Sequence, residues 1–184
     1  MKRIIILVAL LLIANALIAL FWVRKQEDHR FDKEILAASR KYGLNPALVK
    51  SVVRRESSFN PRATGKAGEI GLMQIQEIAA QEWADAERID TFDHLHCFNP
   101  ATNIMAGTHY LAKVMKRYRN TDNPTAYALA DYNAGRTHVL RWKRGPGETN
   151  SKAFLDQMDY PGTRRYIQDI LHWERRYEGT FKAQ

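Results

Sequence analysis

The chain has 184 residues, 45% of them apolar and 26% charged, with 10 glycines and 6 prolines. That profile excludes a chain that is disordered or collagen-like throughout and suits one globular domain. Lysine and arginine number 28 against 20 acidic residues, a formal charge of +8, and setting aside the N-terminal apolar run removes only Lys2 and Arg3, so the part that folds in water is basic. Such a charge favours polyanions, anionic cell walls and membrane surfaces, and names no reaction.

From Ile4 to Val23 the chain reads IIILVALLLIANALIALFWV, broken by one polar residue, Asn15, and preceded by Lys2 and Arg3. As a helix, a run of about twenty residues spans a bilayer, and positive charge ahead of it keeps that end in the cytoplasm. Ala14-Asn15-Ala16 has the form of a signal-peptidase site, but the apolar run continues well past it, and this length favours an uncleaved anchor. The expectation is therefore a transmembrane anchor or signal sequence over 1–23, a charged linker over 24–30 and a folded domain over 31–184, exported across the inner membrane. Cys97 is the only cysteine, which excludes an internal disulfide and leaves stability to the apolar core.

Helix punctuation recurs through the remainder. Phe31, Ile35, Leu36 and Ser39 begin a helix that Gly43 should stop, and Asn45-Pro46 supplies a cap and a first-turn proline for the next. Asn99-Pro100 opens a third helix, in which Ile104, Met105, Thr108, Leu111, Ala112 and Met115 recur at helical spacing. Asn123-Pro124 opens a fourth, ending at Gly135. Lys143 to Ser151 reads as a loop. A last helix starts near Thr163 and carries Tyr166, Ile167, Ile170, Leu171, Trp173 and Tyr177 on one broad face. Strand signals are confined to Thr64 to Ile75, so the architecture is expected to be mostly helical with at most a small hairpin.

The second helix carries the chemical signal. At helical periodicity Leu48, Val52, Val49 and Val53 fall at about 0°, 40°, 100° and 140°, with Glu56 at about 80°, inside the apolar stripe. Lys50, Ser51, Arg54 and Arg55 fall on the opposite arc, which reads as the solvated face. A carboxyl on the buried side should have a raised pKa and hold a proton near neutral pH. The wheel alone equally allows the helix to end at Glu56, with the side chain in water or paired with Arg54 or Arg55. A Gly-rich polar stretch follows, Thr64 to Gly68 and then Gly71-Leu72-Met73-Gln74-Ile75, of the kind that lets backbone approach a ligand closely.

The string ESSFNPRATGKAGEIGLMQI, from Glu56 to Ile75, resembles the signature of the lytic transglycosylases of the lysozyme-like superfamily. Three further blocks follow in order: Asn103-Ile104 with Gly107 and Tyr110-Leu111, then Ala128 to Gly135 (ALADYNAG), then Thr163 to Ile167 (TRRYI). The resemblance covers most of Phe31 to Tyr177 and implies a lysozyme-like α+β fold, mostly α. It further implies that Glu56 is the sole catalytic acid/base, that Met73, Gln74, Tyr132 and Asn133 line a saccharide cleft, and that Tyr166 closes the site near Glu56. This sequence departs from the family pattern in three places. Gly65 stands where many members carry a serine that hydrogen-bonds the reacting sugar, Glu69-Ile70 replaces a commonly small pair, and Gly162 replaces a frequent acidic residue.

The resemblance implies cleavage of peptidoglycan between N-acetylmuramic acid and N-acetylglucosamine with formation of a 1,6-anhydro end, by one carboxyl where ordinary glycosidases use two. Asp131 and Glu69 are the obvious second carboxylates. Without the resemblance, Tyr132 and Tyr166 read equally well as core aromatics, and Asn133 as a helix C-terminal cap. Two rival readings stand beside this one: a hydrolase of goose-lysozyme type, and a non-catalytic wall-binding or assembly module. No cofactor and no metal are implied, since the spacing of Asp93-His94-Leu95-His96-Cys97 matches no standard zinc site. The expected partners are peptidoglycan glycan strands and, through the N-terminal helix, the membrane. An exported position argues against nucleic acid, and a monomer is expected.

Overall fold

The computed structural model describes residues 10–18 and 28–181. Residues 10–18 form a helical stretch whose Leu10, Leu11, Leu12, Ile13, Leu17 and Ile18 are exposed. The rest of the expected Ile4–Val23 span lies outside the described residues, as do Arg24 to Glu27 of the expected linker. Among the described residues no helix is long and apolar enough to cross a membrane.

The domain is built from α1 (Asp32–Tyr42), α2 (Pro46–Ser57), α3 (Glu77–Ala86), α4 (Pro100–Arg117), α5 (Pro124–Ala134), α6 (Arg136–Trp142), α7 (Ser151–Asp156) and α8 (Pro161–Tyr177), with 3-10 turns at His94–Phe98 and Gly145–Glu148. Asparagine does most of the capping. Asn45, Asn99, Asn123 and Asn150 each accept a backbone N–H of the helix that follows, and in the first three a proline stands next, where a missing N–H costs nothing. Gly43, at φ 70°, stops α1 in the left-handed conformation open to glycine.

The sequence does not reveal α3, α6 and α7. The apolar face of α3 is mostly alanine (Ala79, Ala80, Ala84, with Trp83) and gives a weak periodic signal. Helix α6 restarts directly after the Gly135 stop, and α7 is short. The expected hairpin is reduced to two isolated antiparallel bridges, Thr64 with Ile70 and Ile70 with Ile75. Positive φ angles at Gly68, Gly71 and Gln74 keep turning this segment, so no ladder extends.

Helix α2 packs along α8, α4 packs against α1, α3 and α5, and α5 also contacts α8. A large core cluster surrounds α2, α5 and α8, and a smaller one lies beneath α3 around Trp83, Ile75 and Cys97. Tyr110 and Met105 touch both clusters, which places the lower part of α4 at their junction.

Of the polar arc of α2, Arg55 is exposed as expected and Arg54 partly so, but the other two residues are not solvated. Lys50 and Ser51 are both fully buried. Lys50 Nζ donates to Asp32 Oδ1 at 2.5 Å and sits 4.7 Å from the Tyr177 ring centroid and 5.6 Å from that of Phe181. Arg54 bonds Asp28, accepts no role at Glu56, and stacks on Trp173 at 3.6 Å. The wheel missed this because α8 and residues 28–32 bring aromatic rings and carboxylates to the cationic side of α2. Asp28 and His29, assigned to a linker by composition, are helical and bond α2. Burial pulls the Lys50 pKa down while Asp32 opposes the fall. Asp32→Asn should therefore destabilise the domain by about 3 kcal/mol in urea denaturation, because it leaves a buried ammonium without its counter-charge. Lys50→Met should cost less, since it removes the buried charge itself.

Candidate active site

A groove of about 520 Å³ is lined by the end of α2 (Glu56), the turns between α2 and α3 (Gly65, Lys66, Glu69, Gln74), one face of α3, Tyr110 of α4, and Asp131 to Ala134 of α5 with Gly135 just beyond it. Two side chains fix the end of α2 against these turns. Ser57 Oγ donates to the Leu72 carbonyl at 2.8 Å, and Ser58 and Phe59 then turn the chain through positive φ angles of 51° and 64°. A left-handed non-glycine residue costs of order 1 kcal/mol or more, and burial of Phe59 in the core helps hold the pair.

Glu56 lies one residue before the end of α2, in the groove and largely shielded from water. Its Oε1 accepts a hydrogen bond from Tyr166 Oη at 2.5 Å. Neither arginine neighbour pairs with it: Arg54 goes to Asp28 and Tyr177, and Arg55 to Asp169 at 3.3 Å. Burial lifts the Glu56 carboxyl from its ordinary 4.5 to about 7. The Tyr166 hydrogen bond and the Arg55 charge pull down against burial, and the Glu69 charge adds to the rise. At neutral pH a large fraction of Glu56 is thus a neutral acid.

Of the residues named from the sequence, Glu56, Gln74, Tyr132 and Asn133 line the groove together. Tyr166 is buried beneath it, and its phenol is held protonated, well above the ordinary tyrosine range, by burial and the nearby Glu56. Met73 departs from the expectation. It is fully buried among core residues and does not line the groove. The reason is Gly107: a Cβ there would meet Met73 Sδ at 2.6 Å, so the bare α4 backbone makes room for the methionine under the floor. Met73 contributes its carbonyl, which accepts from Tyr132 Oη at 2.8 Å.

Gln74 is partly structural as well. At φ 46° it donates to the carbonyls of Ala63 and Gly71, at 3.1 and 3.0 Å, and so locks the turn it stands on. Asn133 is exposed and its side chain does not cap α5. Its Oδ1 accepts from Thr163 Oγ1 at 2.8 Å, which leaves the amide nitrogen to donate to a ligand. Below the turn, buried Asn103 bonds Met73 N–H, the Ile70 carbonyl and the Cys97 carbonyl at 2.7, 2.8 and 2.9 Å.

Tyr110 and Ile78 also form the wall, and sequence reasoning gave them no role. The Tyr110 and Tyr132 rings stand 5.4 Å apart. Ile78 is 82% exposed, and an isoleucine off the alanine stripe of α3 was the signal available. Although the chain as a whole is basic, the groove lining carries a single cation, Lys66, beside Glu56, Glu69, Glu82 and Asp131, of which Glu82 is paired with Lys113 and Asp131 with Arg117. It therefore suits an uncharged polar ligand better than a polyanion. The His94–Phe98 segment is a capping turn: Asp93 accepts from Leu95 N–H, His96 accepts from Asp93 N–H, and Cys97 is buried.

A shielded acid on the floor of an aromatic and amide-lined groove sits within residues 33–155, which match the transglycosylase SLT domain. The chain belongs to this family. The chain is 38% identical over 119 residues to membrane-bound lytic murein transglycosylase C of Shigella sonnei, covering 61% of this chain and 33% of that relative. The chain thus spans about a third of that relative's length. Its fold matches lytic transglycosylase Slt from Pseudomonas aeruginosa, seen as an inactive glutamate-to-glutamine mutant, with a TM-score of 0.74 and 24% identity over 82% of this chain and 24% of that one. The 70-kDa soluble lytic transglycosylase from Escherichia coli gives 0.73 and 25% over 83% of this chain and 24% of the other. The SLT fold is therefore mostly helical here, as its sequence implied.

Proposed function

We propose that this chain is a peptidoglycan lytic transglycosylase in which Glu56 acts first as acid and then as base. The observation that carries the reading is the neutral carboxyl at about pKa 7 on the groove floor, hydrogen-bonded by a buried tyrosine. Glu56 donates its proton to the oxygen bridging N-acetylmuramic acid and N-acetylglucosamine, and the muramic acetamido oxygen stabilises the cation that remains. The resulting carboxylate takes the proton of the muramic C6 hydroxyl as that oxygen bonds to C1. A 1,6-anhydro ring closes and no water is consumed. Asn133, with its free amide nitrogen, and Tyr110 with Tyr132 form the saccharide-facing wall. The apolar run at Ile4–Val23 holds the domain at a membrane, on the side where peptidoglycan lies.

Mass spectrometry of the muropeptides released from purified sacculi tests the reading. Anhydro-muramic ends are expected, and a digest with none of them overturns it. The pH dependence is a second test. Because the acid form is required, kcat/KM should fall as pH rises through about 7. Tyr166 donates to Glu56 and so favours the ionised form; in Tyr166→Phe the fall should move to higher pH, by roughly half a unit to one unit, with a lower kcat.

A further inference from the structure

Two carboxylates besides Glu56 were candidates for a second acid or base, and their surroundings separate them. Asp131 is 2% exposed, and its Oδ2 already accepts from Arg117 at 2.7 Å and from Tyr118 Oη at 2.5 Å, so it ties α4 to α5. Glu69 is only half-buried and stands in the groove wall with Glu56. Its Oε2 accepts from Ala67 N–H at 3.0 Å, while Oε1 makes no hydrogen bond to a described residue.

Gly65 explains how the carboxylate is seated. Its φ is not positive, so backbone conformation does not require glycine there. Space does. A Cβ at position 65 would lie 2.2 Å from Glu69 Oε2, 2.9 Å from Glu69 Cδ and 3.0 Å from Gln74 Oε1. The loop folds back on itself through Gly65 N–H to the Glu69 carbonyl, at 2.6 Å, and lays the carboxylate over the bare glycine. A side chain at 65 and this position of Glu69 exclude each other. The glycine and the glutamate are one feature, a carboxylate put where a side chain from residue 65 would otherwise stand.

We propose that Glu69 is a second acid–base residue of the groove, serving water as the competing nucleophile. The inference rests on the proposed function. Glu56 protonates the bridging oxygen and the C1–O bond breaks, as before. A water oxygen then bonds to C1 while its proton passes to a Glu69 carboxylate oxygen, giving a reducing muramic end. Glu69 then releases that proton to solvent, and Glu56 regains one from it, so the sum is the glycoside plus one water giving two sugars. The chain thus partitions between ring closure and hydrolysis, and the Gly65–Glu69 pair sets the ratio.

The test is the ratio of reducing to anhydro muramic ends released from sacculi in ¹⁸O-labelled water, measured for the full chain by mass spectrometry. The wild type should release both kinds of end, the reducing ones carrying the label. Glu69→Gln should lower the ratio about tenfold or more. Gly65→Ser keeps the glutamate but pushes it off its seat, so it should lower the ratio in the same direction. Because the readout is a ratio, partial loss of folded protein does not move it. Anhydro ends alone from the wild type, or a wild-type ratio in either variant, overturn the inference and leave the proposed function standing. Reducing ends without anhydro ends, or no soluble product, overturn the proposed function itself and this inference with it.

Discussion

Replacing Glu56 with glutamine is expected to lower turnover of peptidoglycan about a thousandfold or more, while binding to sacculi stays close to wild type. Glutamine matches the shape of the protonated acid and can still accept the Tyr166 hydrogen bond, yet it has no proton to give the bridging oxygen. Stability separates this loss from misfolding. The native carboxyl titrates at about 7 against an ordinary 4.5, so the folded state holds a proton that the unfolded state has lost between those values. This contribution to stability is full below about pH 4.5, is lost as pH rises through about 7, and stays lost above. Glutamine never ionises. The Glu56→Gln protein should therefore unfold at a higher denaturant concentration than wild type at pH 8, by up to about 3 kcal/mol, and at nearly the same one near pH 4. An inactive variant that is equally or more stable at pH 8 points to chemistry. A variant that retains most of its activity removes Glu56 from the mechanism.

The second large effect is expected at Asn103. Its side chain is 1% exposed and fills three backbone hydrogen bonds at once, joining α4 to the turn that carries Gln74 and to the turn at Cys97. Asn103→Ala strands the Met73 N–H and the Cys97 carbonyl away from water, whereas the Ile70 carbonyl keeps the bond from Ile75 N–H. An unpaired buried backbone group costs about 1–3 kcal/mol, so a loss of roughly 4 kcal/mol and a fall in Tm on the order of 10 °C are expected. Gly71→Ala should fail in the same way. Its added Cβ would come within 2.2 Å of Asn103 Nδ2 at a φ of 77°, where only glycine is at ease. Circular-dichroism melts measure both. Wild-type melting of Asn103→Ala would show that the groove floor does not depend on this amide.

What the sequence made legible was local. Asn-Pro pairs cap helices because an acceptor followed by a residue without N–H has one good place to go, and Gly43 and Gly135 stop helices at positive φ, which glycine adopts without steric cost. Glu56 was visible because its angle on α2 contradicts its polarity. The failures were tertiary. Lys50 looked solvated because a helical wheel ranks residues by their own polarity and carries no information on what another helix brings to meet them. Tyr177, Phe181 and Asp32 arrive from far along the chain or from the preceding helix. Met73 looked like a cleft residue by its place in a motif, yet the space opposite Gly107 took it into the core. Glu69 was visible as a carboxylate, but only the three-dimensional overlap with position 65 showed why a glycine accompanies it.

The neutrality of one carboxyl carries the account, and a direct titration measures it. Carbon-13 NMR of the side-chain carboxyls, with Glu56→Gln supplying the assignment by difference, should show Glu56 titrating near pH 7 in the free protein. A Glu56 titrating near 4.5, like an ordinary glutamate, would contradict it.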